Sequence, residues 1–242
     1  MNYMHYLLVH GSWHGMWCWD KLVPHLYKQG HSVSRFDLPG SGSRFSEIND
    51  INFEILKDSV EAEIHKINNP FCLVVHSFAG LLAAPLVEKY VHKIHHAFYL
   101  AAWLPREGKS LIDMAVAYNN SELPSIFIHT ENPLWSAIDP EASKNIFYHD
   151  CTLEDQIFAS QRIKPKNKLP DLTPQRAVAN RKSLNKSTYI LCNHDKVVHP
   201  ESQLDIAKRF GFDNERILTF PSGHSPFLAK PYELARILSQ SC

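Results

Sequence analysis

Apolar residues recur along the first hundred positions in two alternating rhythms. Tyr6–Val9 and Phe71–Val75 are short continuous apolar runs, and with Ser32–Phe36 and Ile94–Leu100 they read as strands. Between them the apolar spacing lengthens to three and four. Met16 to Gln29 predicts a helix that stops at Gly30, and Phe53, Leu56, Val60, Ile64 and Ile67 line one face of a second. Phe78 to Tyr90 predicts a third, kinked at Pro85, and Asp37-Leu38-Pro39-Gly40-Ser41-Gly42 has the chemistry of a turn. Such alternation implies parallel strands joined by right-handed helical crossovers.

The rhythm breaks at Pro105. From there to Lys182 the chain is rich in Pro, Asn and isolated aromatics, with no clear strand. It resumes with a strand at Ser187–Cys192, a helix over Glu201–Phe210, a strand over Arg216–Phe220 and a helix over Tyr232–Ser239. The expected architecture is an α/β core of residues 1–104 and 183–242, mainly parallel, with a mostly helical cap inserted at 105–182.

Composition narrows the partners. A chain of 242 residues, 44% hydrophobic and 21% charged, suits one domain with a sizeable core. Lys and Arg number 25, and so do Asp and Glu, so the basic excess of a nucleic-acid binder is missing. No polybasic run favours an anionic membrane, and no apolar run reaches the length of a span. Residues 1–5 carry neither Lys nor Arg and lead straight into the first strand, unlike a signal peptide. Cys18, Cys72, Cys151, Cys192 and Cys242 are odd in number and lack CxxC pairing, which predicts idle thiols and a cytoplasmic setting. No metal, nucleotide or flavin motif is present, and no cofactor is expected.

Candidate chemistry gathers at strand ends. Leu73-Val74-Val75-His76-Ser77-Phe78-Ala79-Gly80 sets a serine where a buried strand turns into a helix. A serine there is lifted above the sheet edge as a nucleophile, with the Phe78 N–H beside the position of an oxyanion. The usual pattern is G-x-S-x-G; here Val75 and Ala79 stand for the glycines, and Val75 is the larger departure. A plain helix N-cap serine is the competing reading. The loop His10-Gly11-Ser12-Trp13-His14-Gly15 follows the first strand, where this architecture supplies its second oxyanion donor, the Ser12 N–H. Metal binding by His10 and His14 would need a helix there, and Gly11 and Gly15 disfavour one.

Asp195 falls just past the strand ending at Cys192, and His224 just past the strand ending at Phe220. Open α/β sheets build sites at such carboxyl ends. Ser, Asp, His is also the triad order of the G-x-S-x-G hydrolases. His224 would act as base and Asp195 would orient it. Asp37 precedes the serine and suits its turn, and Asp213 precedes its strand, so neither competes well.

At this point the chain resembles a known family. Val9 to Gly42, Tyr99-Leu100-Ala101-Ala102-Trp103-Leu104-Pro105, the segment from Tyr148 to Lys164, and the Asp195 and His224 loops are similar to the plant methylesterase and hydroxynitrile lyase group and its bacterial esterase relatives. The resemblance implies an α/β-hydrolase fold. It also implies a Ser77–Asp195–His224 triad, an oxyanion hole from the Ser12 and Phe78 N–H groups, and a mostly apolar pocket under the cap. Lyases of the group carry Thr at the place of Gly11 and Lys directly after the histidine, where this chain has Ser225. Hydrolysis of a small carboxylic ester is therefore the expected activity. A binding protein of low turnover and a lyase are the alternatives. Phe78, Trp103, Trp135, Phe158 and Phe227 are candidate pocket walls, with core packing the rival account of each.

Overall fold

The computed structural model describes residues 3–178 and 182–240. Its strands are β1 (His5–Val9), β2 (Ser32–Arg35), β3 (Phe71–His76), β4 (Ile94–Leu100), β5 (Phe127–Ile128), β6 (Trp135–Ile138), β7 (Lys166–Asn167), β8 (Ser187–Cys192) and β9 (Ile217–Phe220). Six of them form a parallel sheet in the order β2-β1-β3-β4-β8-β9. β3 is buried along its whole length, the burial its continuous apolar run demands. The chain leaves β1 for β2 on one side and returns to β3 on the other. The carboxyl ends of β1 and β3 therefore flank a topological switch point, where such sheets hold ligands.

The helices are α1 (Leu22–Lys28), α2 (Phe53–Lys66), α3 (Ala79–Lys89), α4 (Leu111–Tyr118), α5 (Pro140–Ile146), α6 (Leu153–Ser160), α7 (Leu169–Leu172), α8 (Pro200–Phe210), α9 (Pro226–Ala229) and α10 (Pro231–Gln240). Two expectations change. Met16 to Gln29 is not one helix but a 3₁₀ turn at Met16–Trp19 followed by α1. Pro24 sits in the first turn of α1, where its missing N–H costs nothing; deeper in a continuous helix its ring would meet the carbonyl four residues back. The segment between β4 and β8 is also less purely helical than expected. It contains α4 to α7 together with a small antiparallel sheet, β5-β6-β7.

Cys18, Cys151 and Cys192 are free and buried, as idle thiols would be. Cys72 departs from that expectation, being disulfide-bonded, and Cys242 lies outside the described residues. No described helix is long and apolar enough to cross a membrane.

Candidate active site

Ser77 follows β3 and has φ +53°, a left-handed conformation that a non-glycine residue adopts only when its surroundings enforce it. Two backbone bonds enforce it here: the Ser77 N–H donates to the Leu100 carbonyl at 3.1 Å, and the Ser77 carbonyl accepts from Trp103 N–H at 3.0 Å. The elbow thus forms with Val75 fully buried in the sheet. The small-residue requirement falls three residues after the serine. A Cβ on Gly80 would lie 2.3 Å from the Trp103 carbonyl oxygen and 2.9 Å from the Ala102 side chain. Gly80→Ala is expected to destabilise the fold by about 1–3 kcal/mol through overpacking, seen as a lower urea midpoint with an unchanged slope.

His224 and Asp195 come together from neighbouring strand ends, β9 and β8. The His224 Nδ1 is 2.7 Å from Asp195 Oδ2, and both side chains are buried. The carboxylate is otherwise saturated: Oδ1 accepts from the N–H groups of Val197 and Val198, at 2.7 and 3.0 Å, and Oδ2 from Gln203 Nε2 at 2.9 Å. An acceptor-only partner makes Nδ1 the protonated nitrogen and leaves Nε2 with a free lone pair. Asp37 instead accepts from Met16 N–H and Ser43 in its turn, and Asp213 caps the turn before β9. Neither approaches the site as an acid.

The loop after β1 approaches Ser77 closely. A Cβ on Gly11 would lie 2.9 Å from Ser77 Cβ and 3.0 Å from His76 Nδ1, so glycine is what lets the two loops meet. Among the described residues, the N–H groups of Ser12 and Phe78 donate to no protein acceptor. Both residues line a cavity of about 500 Å³ together with Ser77. Phe78 also stands at the amino end of α3, where the helix dipole favours negative charge.

His10 and His14, weighed above as metal ligands, hold this loop by its carbonyls. His10 Nδ1 lies 2.9 Å from the Gly11 oxygen while its Nε2 accepts from Leu38 N–H. His14 Nδ1 lies 2.7 Å from the Ser12 oxygen while its Nε2 lies 2.8 Å from the Tyr148 hydroxyl. Each ring has both nitrogens engaged. Burial pushes His14 down to about 3 and lowers His10 as well, so both act as neutral rings. His76 is a third such ring: its Nε2 donates to the His224 carbonyl at 2.9 Å, and burial holds it well below the usual histidine range. From the inserted segment, Asp150 accepts from Gly223 N–H at 2.7 Å and from the Ser222 hydroxyl, bracing the loop that carries His224.

The candidate walls divide. Phe78, Trp103 and Trp135 line the cavity, with Leu111, Phe127 and Val197 among its apolar lining. Phe158 and Phe227 do not line it. Phe227 is fully buried against Trp19 and His76, with ring centroids 4.9 Å away in each case, and forms the floor beneath the histidines. Phe158 packs on Trp17, and the Arg162 guanidinium covers its ring at 3.8 Å. Aromatic identity marks burial, and only the tertiary contacts decide which void it borders.

Residues 6–237 match the model of the alpha/beta hydrolase family, and the chain belongs to that family. Within it, the chain is 29% identical to salicylic acid-binding protein 2 of Nicotiana tabacum over 97% of its own length and 95% of that protein. It is 28% identical to polyneuridine aldehyde esterase of Rauvolfia serpentina, covering 97% and 94% of the two chains. A crystal structure of polyneuridine aldehyde esterase superposes with a TM-score of 0.84 at 25% identity, over 99% of each chain. The methylesterase resemblance drawn from the sequence therefore holds.

Proposed function

We propose that this protein is a serine carboxylic ester hydrolase that acts through an acyl-enzyme on Ser77. The observation that carries the reading is that Ser77, in a strained turn, lines one cavity with the unspent N–H groups of Ser12 and Phe78, while the loops after β9 and β8 hold a histidine, His224, oriented by the saturated Asp195 carboxylate. Its relatives include proteins named methylesterase and polyneuridine aldehyde esterase, which supports ester cleavage as the activity.

In this mechanism Ser77 Oγ attacks the ester carbonyl carbon as His224 Nε2 takes its proton. The carbonyl oxygen becomes an oxyanion between the Ser12 and Phe78 N–H groups, each such donor contributing on the order of 3 kcal/mol. Collapse expels the alcohol, protonated by His224, and leaves the acyl group on Ser77. Water, deprotonated by His224, then releases the acid. Asp195 keeps the proton on Nδ1 and stabilises the imidazolium. The lining by Trp103, Phe127 and Trp135 favours a small ester with an apolar or aromatic acyl part. Ser225, buried directly after His224, supplies no ammonium for a departing cyanide, which favours hydrolysis over lyase chemistry.

The test is labelling with a fluorophosphonate, mapped by mass spectrometry, alongside hydrolysis of a short p-nitrophenyl ester. Labelling at Ser77 with turnover is expected. A folded protein that neither labels nor turns over would move the reading to a binding protein.

A further inference from the structure

Lys166 lies in β7 with its side chain almost wholly buried. Its Nζ donates to Asp171 Oδ1 at 2.6 Å and to Ser12 Oγ at 2.7 Å. It also stands 4.8 Å from the centre of the Phe78 ring and 5.0 Å from that of Trp13, within cation–π range of both. The ammonium thus touches both residues that offer a free N–H to the cavity. Trp13, between the loop's two histidines, has φ +61°. A buried ion pair is a weak source of stability, because desolvating the two charges offsets most of their attraction. Burial pulls Lys166 below and pushes Asp171 above its ordinary range, with each opposed by the charge of the other.

We propose that Lys166 is a positioning residue for ester hydrolysis: its ammonium grips the Ser12 hydroxyl, fixes the Ser12 N–H toward the oxyanion, and adds positive potential behind the Phe78 donor. His10 holds the carbonyl of the peptide that carries this N–H, that of Gly11, and His14 holds the Ser12 carbonyl beyond it, so Ser12 is clamped from both sides. Asp171 anchors the ammonium and balances its charge while no oxyanion is present. The transition state carries a full negative charge that the neutral ester lacks. Lys166 therefore acts on kcat more than on KM.

The inference rests on the Ser77 reading, and the experiment separates the two. Wild type, Lys166→Met, Lys166→Arg and the double variant Lys166→Met with Asp171→Leu are compared. The double variant removes both charges and so avoids a buried unpaired carboxylate. The measurements are kcat and KM on a p-nitrophenyl ester, affinity for a trifluoromethyl ketone that forms a serine hemiketal, thermal midpoint, and fluorophosphonate labelling. The expected result is a double variant with a near wild-type midpoint and a kcat about 10- to 100-fold lower. Its KM stays within about threefold, and its ketone affinity falls in parallel with kcat. Lys166→Arg is expected to recover part of the loss. A double variant with wild-type kcat and ketone affinity, beside a wild type that labels at Ser77, would overturn this inference alone. A wild type that neither labels nor turns over would overturn the Ser77 reading and this one with it.

Discussion

Asp195→Asn is expected to lower kcat for ester hydrolysis by about 10⁴-fold, the scale associated with a histidine locked in the wrong tautomer. Every neighbour of this carboxylate is a donor: Val197 and Val198 N–H at one oxygen, Gln203 and His224 at the other. An amide has one acceptor and one donor end. If its NH₂ faces His224, Nδ1 must become an acceptor, and the ring proton moves to Nε2, where the base's lone pair is needed. If its NH₂ faces the backbone instead, it meets two N–H groups and leaves them unsatisfied in the interior, costing roughly 1–3 kcal/mol for each. Rate measurements on a p-nitrophenyl ester, with urea unfolding as a control, distinguish tautomer from fold. A variant that keeps a tenth of the wild-type kcat would remove Asp195 from the mechanism.

Stability is expected to collapse in mild acid, for reasons seated in the same loops. His10, His14 and His76 are buried and held neutral, all with lowered pKa values and His14 near 3, chiefly because burial penalises the charged ring. In the unfolded chain each titrates near 6.5. Below that pH the unfolded state therefore binds more protons than the native one, and stability falls as pH drops. The loss is about 1.4 kcal/mol per pH unit for each histidine until its native pKa is reached. His14 alone would remove about 2 kcal/mol between pH 7 and pH 5, and the lowered His76 and His10 add to that loss, against the roughly 5–15 kcal/mol of an ordinary domain. Urea midpoints measured at pH 7, 6 and 5 should fall steadily. A flat series would mean that these rings are not held neutral.

Much of this molecule was legible along the chain. The runs at Ile94–Leu100 and Ser187–Cys192 are strands over the residues their patterns delimit. A buried parallel strand must be continuously apolar and a crossover helix must repeat every three to four residues. The cap sheet was not legible, because β5 and β7 are two residues long and β6 four, too short to show a period. Met16 to Gln29 misled for the opposite reason: its apolar spacing runs on through a break that Pro24 imposes on the backbone.

The site divides along the same line. Ser77, Asp195 and His224 could be singled out in sequence because each follows its strand directly, and the strand-end loops of a parallel sheet share one edge. That order, the turn chemistry around it and the alternation of strand and helix are local properties, written in neighbouring residues. The tertiary structure alone decided how the rest is used. His10 and His14 became clamps when the Leu38 and Tyr148 partners reached them, and Phe227 became floor rather than wall. Lys166 came to rest on Ser12 from 154 positions away. Hydrogen bonds, ion pairs and cavities join residues that the chain keeps far apart, so no local pattern encodes them.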